Sequence, residues 1–154
     1  MSETIENRLS KLGVTLPVAA APAANYVPYM QSGNLVFTAG QLPLKEGKLV
    51  ASGLLGRDLD TAAGQEAAKY CAINILAQVK AALGDLEKIK RLVKITVFVA
   101  SSPDFTEQHL VANGASDFLV AALGDSGKHA RSAVGVAVLP LNAAVEIEAI
   151  VEVA

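Results

Sequence analysis

Residues 129–154 read HARSAVGVAVLPLNAAVEIEAIVEVA. The apolar positions recur with a period of two, the spacing of β-strands. After Arg131, residues Ser132, Val134, Val136 and Val138 share one face, and Ala133, Gly135 and Ala137 share the other. Arg131 is in phase with the small-residue face, at the mouth of the strand. Small residues there leave room for a ligand, a helix or a neighbouring subunit. A second strand follows Leu139-Pro140-Leu141-Asn142. Its apolar face carries Val145, Ile147, Ala149, Val151 and Val153, while Glu146, Glu148 and Glu152 lie opposite with Ile150.

Two readings of Arg131 stay open on these residues. One is an Arg–Glu ion pair beside a solvated acidic edge. The other is a carboxylate anchor, because a planar guanidinium holds a small acid at two points. A nearby, partly desolvated glutamate would then hold or activate a water. A strict hairpin would put Arg131 near Ile150. Meeting Glu146 requires the two strands to be non-adjacent or to come from different subunits.

Upstream, residues 3–12 predict a helix with Ile5, Leu9 and Leu12 on one face, Ser2 as cap and Gly13 as stop. The stretch VTLPVAAAPAA (14–24) predicts an extended segment without regular pairing. Strands are expected at about 26–31 and 35–39 around Ser32-Gly33-Asn34, and a further hairpin around Lys45-Glu46-Gly47-Lys48. The longest helix is predicted from Thr61 to Leu83, capped by Asp60 and ended by Gly84, with Ala68, Cys71, Ile75, Val79 and Leu83 buried. IKRLVKITVFVA (89–100) predicts a strand with Val93, Ile95, Val97 and Val99 on one face. The next helix is expected to begin at Ser102-Pro103 and end before Gly124. Gly114 inside it marks a kink or a close approach of backbone. Hairpins mixed with two long helices argue an α+β domain with both helices on one sheet face. Residues 1–154 read as a single domain with an added N-terminal helix.

Composition narrows the function classes. The hydrophobic share is 52%, but aromatics are 5% and Trp is absent, so close packing of small groups is expected. A mean hydropathy of +0.40 is high for this size, which suggests apolar surface hidden between subunits. Net charge is −2 with no basic cluster, which argues against a nucleic-acid partner. Cys71 is the only cysteine, so no internal disulfide or thiolate metal cage can form, and its place on the helix stripe predicts a buried thiol. His109 and His129 do not make a spaced metal cluster, and no metal is expected. His109 falls on a polar helix face. His129, two residues before Arg131, is a candidate for the same pocket. Gly124-Asp125-Ser126-Gly127 copies a protease nucleophile sequence, but that fold needs far more chain, so a turn is expected. No signal layout or spanning apolar run is present, and a cytoplasmic protein is expected.

HARSAVGVAVLPLNAAVEIEAI (129–150) resembles the C-terminal signature of the RidA (YjgF) family of reactive-intermediate imine deaminases. YVPYMQSGNLVFTAGQLPL (26–44) resembles that family's Pro-Tyr, Gly-Asn and Gly-Gln-hydrophobic-Pro stretch. The added N-terminal helix and HLVANGASDFLVAALGDSGKH (109–129) resemble its longer branch, whose members are often labelled endoribonuclease or translation inhibitor. The resemblance implies a ferredoxin-like, chorismate-mutase-like subunit, and a homotrimer whose sheets form a central barrel with ligand clefts between subunits. It implies that Arg131 binds the substrate carboxylate and that Ala133 offers a backbone N–H. Glu146 would hold water and act in catalysis, Tyr29 would line the cleft, and Gly40-Gln41 would form its turn. Asn113 is a further candidate, reaching the cleft from its helix. The implied reaction is cofactor-free hydrolysis of enamines or imines to a keto acid and ammonia. Ala39 and Ala133 depart from the Ser and Cys of many deaminating members. This favours a ligand cleft over that specific activity, so a non-catalytic sensor is the alternative.

Overall fold

A computed structural model of the chain describes residues 3–19 and 25–154. Helix α1 spans Ile5–Lys11 and is capped by the Thr4 side chain, which accepts from the Asn7 N–H. The expected cap, Ser2, lies outside the described residues. Ile5 and Leu9 are buried as predicted, but Leu12 is 41% exposed, because the helix ends one residue earlier. Gly13 stops it at φ 73°. The helix is tied down by the Ile5 N–H, which donates to the Glu87 carboxylate at 2.7 Å, and by a Lys80–Glu6 pair at 2.9 Å. Leu9, only 1% exposed, inserts into the main core. Leu9→Ala should therefore cost about 2–4 kcal/mol of unfolding free energy in urea titration. A loss below half a kilocalorie would mean that α1 is only loosely attached.

Residues 14–19 form no regular element, and the rest of the Pro/Ala stretch lies outside the described residues. Strand β1 (Tyr29–Ser32) starts three residues later than predicted. Pro28 precedes it, and a residue without an N–H cannot extend the ladder. β1 pairs with β2 (Leu35–Thr38) around Gly33, whose φ is 60°. The short hairpin β3 (Leu44–Lys45) and β4 (Lys48–Leu49) turns at Glu46 and Gly47, both at positive φ, as the Lys45–Lys48 turn signal predicts.

Helix α2 (Thr61–Leu83) has the bounds expected from its caps: Asp60 accepts from the Ala63 N–H and Gly84 is left-handed. Cys71 is fully buried in it. Strand β5 (Ile89–Ala100) carries two register shifts, between Ile89 and Arg91 and between Leu92 and Lys94. The second shift changes phase at Val93, which is only half-buried, while Leu92, Ile95, Val97 and Val99 face the core.

Helix α3 (Gln108–Leu123) begins later than Ser102-Pro103. Ser102 still continues the extended chain, its N–H donating to the Leu55 carbonyl at 2.9 Å, and its hydroxyl bonds Asp104. The helix therefore has to wait for a turn to be completed. Strands β6 (Ala130–Val136) and β7 (Val145–Val153) complete a five-stranded sheet of order β1-β2-β7-β5-β6, with a separate β3-β4 pair. β6 runs parallel to β5, and β7 antiparallel to it. The two C-terminal strands are therefore non-adjacent, with β5 between them. Both α2 and α3 pack on one sheet face. The opposite face carries Met30, Phe37, Ile150, Phe98 and Val134, and among the described residues no helix covers it.

Candidate functional site

Arg131 pairs with Ile95 on β5, so it shares the helix-side face with Ala133 and Gly135. The small residues let α3 approach: a Cβ at Gly135 would stand 2.8 Å from the Gln108 side-chain nitrogen. From α3, one polar stripe at helical spacing meets the guanidinium. Nη1 donates to Asn113 Oδ1 at 2.9 Å and to Ser116 Oγ at 3.1 Å, and Nη2 donates to the His109 carbonyl at 3.2 Å. Three of the five donors of a guanidinium are thus used to hold it. Nε and one Nη2 hydrogen have no partner among the described residues. Two donors are thus left for anionic oxygens such as those of a carboxylate.

His129 joins this cluster. Its Nδ1 lies 2.6 Å from the Gly127 carbonyl, and its Nε2 lies 2.9 Å from Ser116 Oγ. Ser116, Val120, Lys128, His129 and Arg131 line a cavity of about 280 Å³. The His109 ring is exposed, as expected, and only its backbone carbonyl reaches the arginine. Ser116 was not among the sequence candidates, although its spacing of three and seven from Asn113 and His109 is a legible signal. Gly124–Gly127 forms a 3₁₀ turn, as expected of a loop, and its carbonyl fixes His129.

Glu146 sits elsewhere. It pairs with Phe98 on β5, on the sheet face opposite Arg131. Gln41 bridges Ile147 through both backbone groups, at 2.8 and 3.1 Å, and this places Gly40 against Glu146. A Cβ at Gly40 would lie 2.7 Å from Glu146 Oε2, so only glycine leaves the carboxylate its place. Burial raises the Glu146 pKa from its ordinary value, and the neighbouring Glu148 charge adds to the shift. A half-buried carboxyl with a raised pKa holds a proton more readily than a free one, which suits a group that takes a proton and returns it. Burial also pushes the Cys71 thiol well up, with Glu146 as a second cause, which makes it a structural rather than reactive group.

The sequence candidates therefore fall into separate groups within one chain. Arg131, Ala133 and Asn113 come together, and Gly40 and Glu146 come together. The row of Arg131 is three β5 residues and two strand spacings from that of Glu146, about 10 Å along and about 10 Å across. Tyr29 is half-buried on β1, at the other edge of the sheet, four spacings or about 19 Å from β6. No intrachain Arg131–Glu146 ion pair forms.

Among the described residues, no helix is long and apolar enough to cross a membrane. Comparison with known proteins gives the lineage. A family model described as "YjgF/chorismate_mutase-like, putative endoribonuclease" matches residues 6–153. Protein TCP17 of Trypanosoma cruzi is 51% identical over 152 residues, 98% of this chain and 95% of that protein. A 2-iminobutanoate/2-iminopropanoate deaminase of Dermatophagoides farinae is 30% identical over 138 residues, 90% of this chain and 93% of that protein. A yeast relative, 31% identical over 137 residues (89% of this chain, 81% of that protein), carries "mitochondrial" in its name, which leaves the compartment open.

Among solved structures, the Agrobacterium tumefaciens protein Atu1372, of unknown function, superposes with a TM-score of 0.93 at 60% identity, covering 97% of this chain and 92% of that one. A "putative endoribonuclease" of Shewanella oneidensis gives 0.95 at 34% identity, covering 98% and 100%. Escherichia coli TdcF with bound serine gives 0.65 at 26% identity, covering 99% and 100%. The mixed α+β architecture agrees with these relatives and with the motifs at 26–44 and 129–150. The chain belongs to the RidA/YjgF family.

Proposed function

We propose that this protein is a cytoplasmic homotrimer that binds a small keto or imino acid in clefts between subunits and hydrolyses reactive imines there. The observation that carries the reading is Arg131 itself, a guanidinium fixed by Asn113, Ser116 and the His109 carbonyl with two donors left over. The separation of Arg131 from Tyr29 and Glu146 supports a composite site, because edge-to-edge packing of two protomers can join groups that one chain keeps apart. The sheet face that no described helix covers mixes Met30, Phe37 and Val134 with Lys94, Ser132, Glu146 and Glu148, and its exposed apolar groups support self-association: Met30 is 59% and Val134 44% exposed. The deaminase relative and the serine held by the TdcF structure support a small amino-acid-derived ligand.

In this reading Arg131 grips the carboxylate, and Ala133 offers its N–H beside it. Glu146 takes a proton from water as the water oxygen bonds the carbon of the protonated imine, giving a neutral carbinolamine. It returns that proton to nitrogen and takes up the carbinolamine hydroxyl proton as the C–N bond breaks, releasing ammonia and the keto acid. No metal or organic cofactor is required. Glu146→Gln should slow 2-iminopropanoate hydrolysis in stopped flow by at least about 100-fold, while pyruvate affinity changes little. The same variant should be more stable near pH 7. A carboxyl with a raised folded pKa contributes stability below its unfolded pKa and loses it as pH rises through the folded value. An unchanged hydrolysis rate in Glu146→Gln would remove this glutamate from the chemistry.

A second reading is a sensor that keeps the cleft without turnover, favoured by Ala39 and Ala133, which supply neither hydroxyl nor thiol. A wild-type rate equal to the uncatalysed one at high protein concentration would select it. An RNA-cleaving role has the family description and the name of the Shewanella oneidensis structure behind it, but the net charge of −2 offers no electrostatic footprint for RNA.

A further inference from the structure

We propose that Ser116 and His129 are positioning residues for Arg131, coupled so that the neutral imidazole locks the guanidinium in its ligand-ready orientation. This rests on the reading of Arg131 as a carboxylate anchor. A carbonyl oxygen can only accept, so the 2.6 Å contact with Gly127 puts a hydrogen on His129 Nδ1. In the neutral ring Nε2 is then an acceptor, and the Ser116 hydroxyl, 2.9 Å away, donates to it. With its hydrogen committed, Ser116 Oγ presents a lone pair to Arg131 Nη1 at 3.1 Å. The direction of every bond follows from the Gly127 carbonyl: arginine donates to serine, serine to histidine, histidine to the backbone. Asn113 holds the second Nη1 hydrogen, so Nη1 is fully used and only the outer donors face a ligand.

Protonation of His129 would reverse the middle link. An imidazolium donates from both nitrogens, so Nε2–H and Nη1–H would both point at one oxygen, with two cations flanking it. The serine hydrogen would have to turn elsewhere. The charged or titratable groups around His129 are Arg131 on β6, which begins one residue after it, and Lys128 with its partner Asp125 at 3.7 Å in the preceding turn. His109 and Asp117 lie on α3, and Lys94 lies on β5 beside Ala130. None of these accepts the displaced serine hydrogen in the observed bonding.

The test is calorimetric titration with pyruvate between pH 5.5 and 8, using wild type and the Ser116→Ala, Ser116→Thr, His129→Leu and Arg131→Ala variants, each checked for an unchanged melting profile. Wild-type affinity should fall by about fivefold or more between pH 8 and pH 5.5. Ser116→Ala and His129→Leu should bind about tenfold more weakly at pH 8, the size of one hydrogen bond to a charged group, and should show a flattened pH profile. Ser116→Thr, which keeps the hydroxyl, should restore both affinity and pH dependence. Wild-type affinity in Ser116→Ala, or an unaltered pH step in it and in His129→Leu, would overturn the positioning role while Arg131→Ala still abolishes binding. If Arg131→Ala itself binds normally, the anchor reading fails, and this inference with it.

Discussion

Replacing Arg131 with alanine should abolish calorimetric binding of pyruvate and 2-oxobutyrate while leaving the mass of the assembly in solution unchanged. The free guanidinium donors can make two charge-assisted hydrogen bonds to a carboxylate, each worth about 1.5–3 kcal/mol. Their loss weakens binding at least about 100-fold, beyond detection for a small metabolite. The fold should tolerate the change. Arg131 stands on the edge strand, and its three bonds go to groups near solvent on α3 and not to core atoms. Lysine should rescue poorly, because an ammonium cannot present two parallel donors while holding Asn113 and Ser116. An Arg131→Ala protein with wild-type affinity would mean that the ligand, if any, is held elsewhere.

The second large effect is expected from Gly114→Ala. In an ordinary exposed helix this change stabilises by about 1 kcal/mol, because alanine favours the helical backbone. Here a Cβ would stand 2.1 Å from the Gln65 carbonyl oxygen and 2.7 Å from Gln65 Cα, backbone atoms of α2 that cannot rotate away. The two helices touch at this point, with Gly64 on α2 facing Val111 on α3 and the Gln65 amide donating to the Leu110 carbonyl at 2.9 Å. They would have to separate by roughly 1 Å, which opens the packed α2–α3 seam. We expect a net loss of about 2–3 kcal/mol, or roughly 5–10 °C in melting temperature for a chain of this length. Asn113 precedes Gly114, so the shift should also loosen Arg131 and weaken pyruvate binding. A raised melting temperature would show that the helices have more slack than the backbone contact implies.

Where local chemistry decides the structure, the sequence was readable. Asp60 and Gly84 bracket α2, Glu46-Gly47 turns the small hairpin, and strict alternation marks β6 and β7. Gly114 was legible as a kink or a close approach, and the Gln65 backbone beside it selects the second. What stayed hidden depends on long-range choices. Nothing in residues 129–154 announces that β5 inserts between β6 and β7, because each strand is compatible with either neighbour. The β5 bulge at Val93 and the delayed start of α3 are set by pairing with distant segments, Leu92 opposite Val151 and Ser102 against Leu55. At the site, Arg131 and Glu146 stood out by type, and Gly40 and Tyr29 came only through resemblance. Ser116 shares a helical stripe with Asn113 and His109, but that spacing gains meaning only once His129 and the strand bearing Arg131 are laid against it.

The account turns on an arginine that captures a metabolite's carboxylate where two copies of the chain meet. A crystal structure of the assembled protein soaked with 2-oxobutyrate tests this most directly. The predicted result is a trimer with the ligand carboxylate on Arg131 Nε and Nη2, and with Gly40 and Glu146 of an adjoining protomer at the far end of the ligand. A guanidinium turned to bulk solvent with no protomer beside it, or ligand density at another place in the fold, would contradict it.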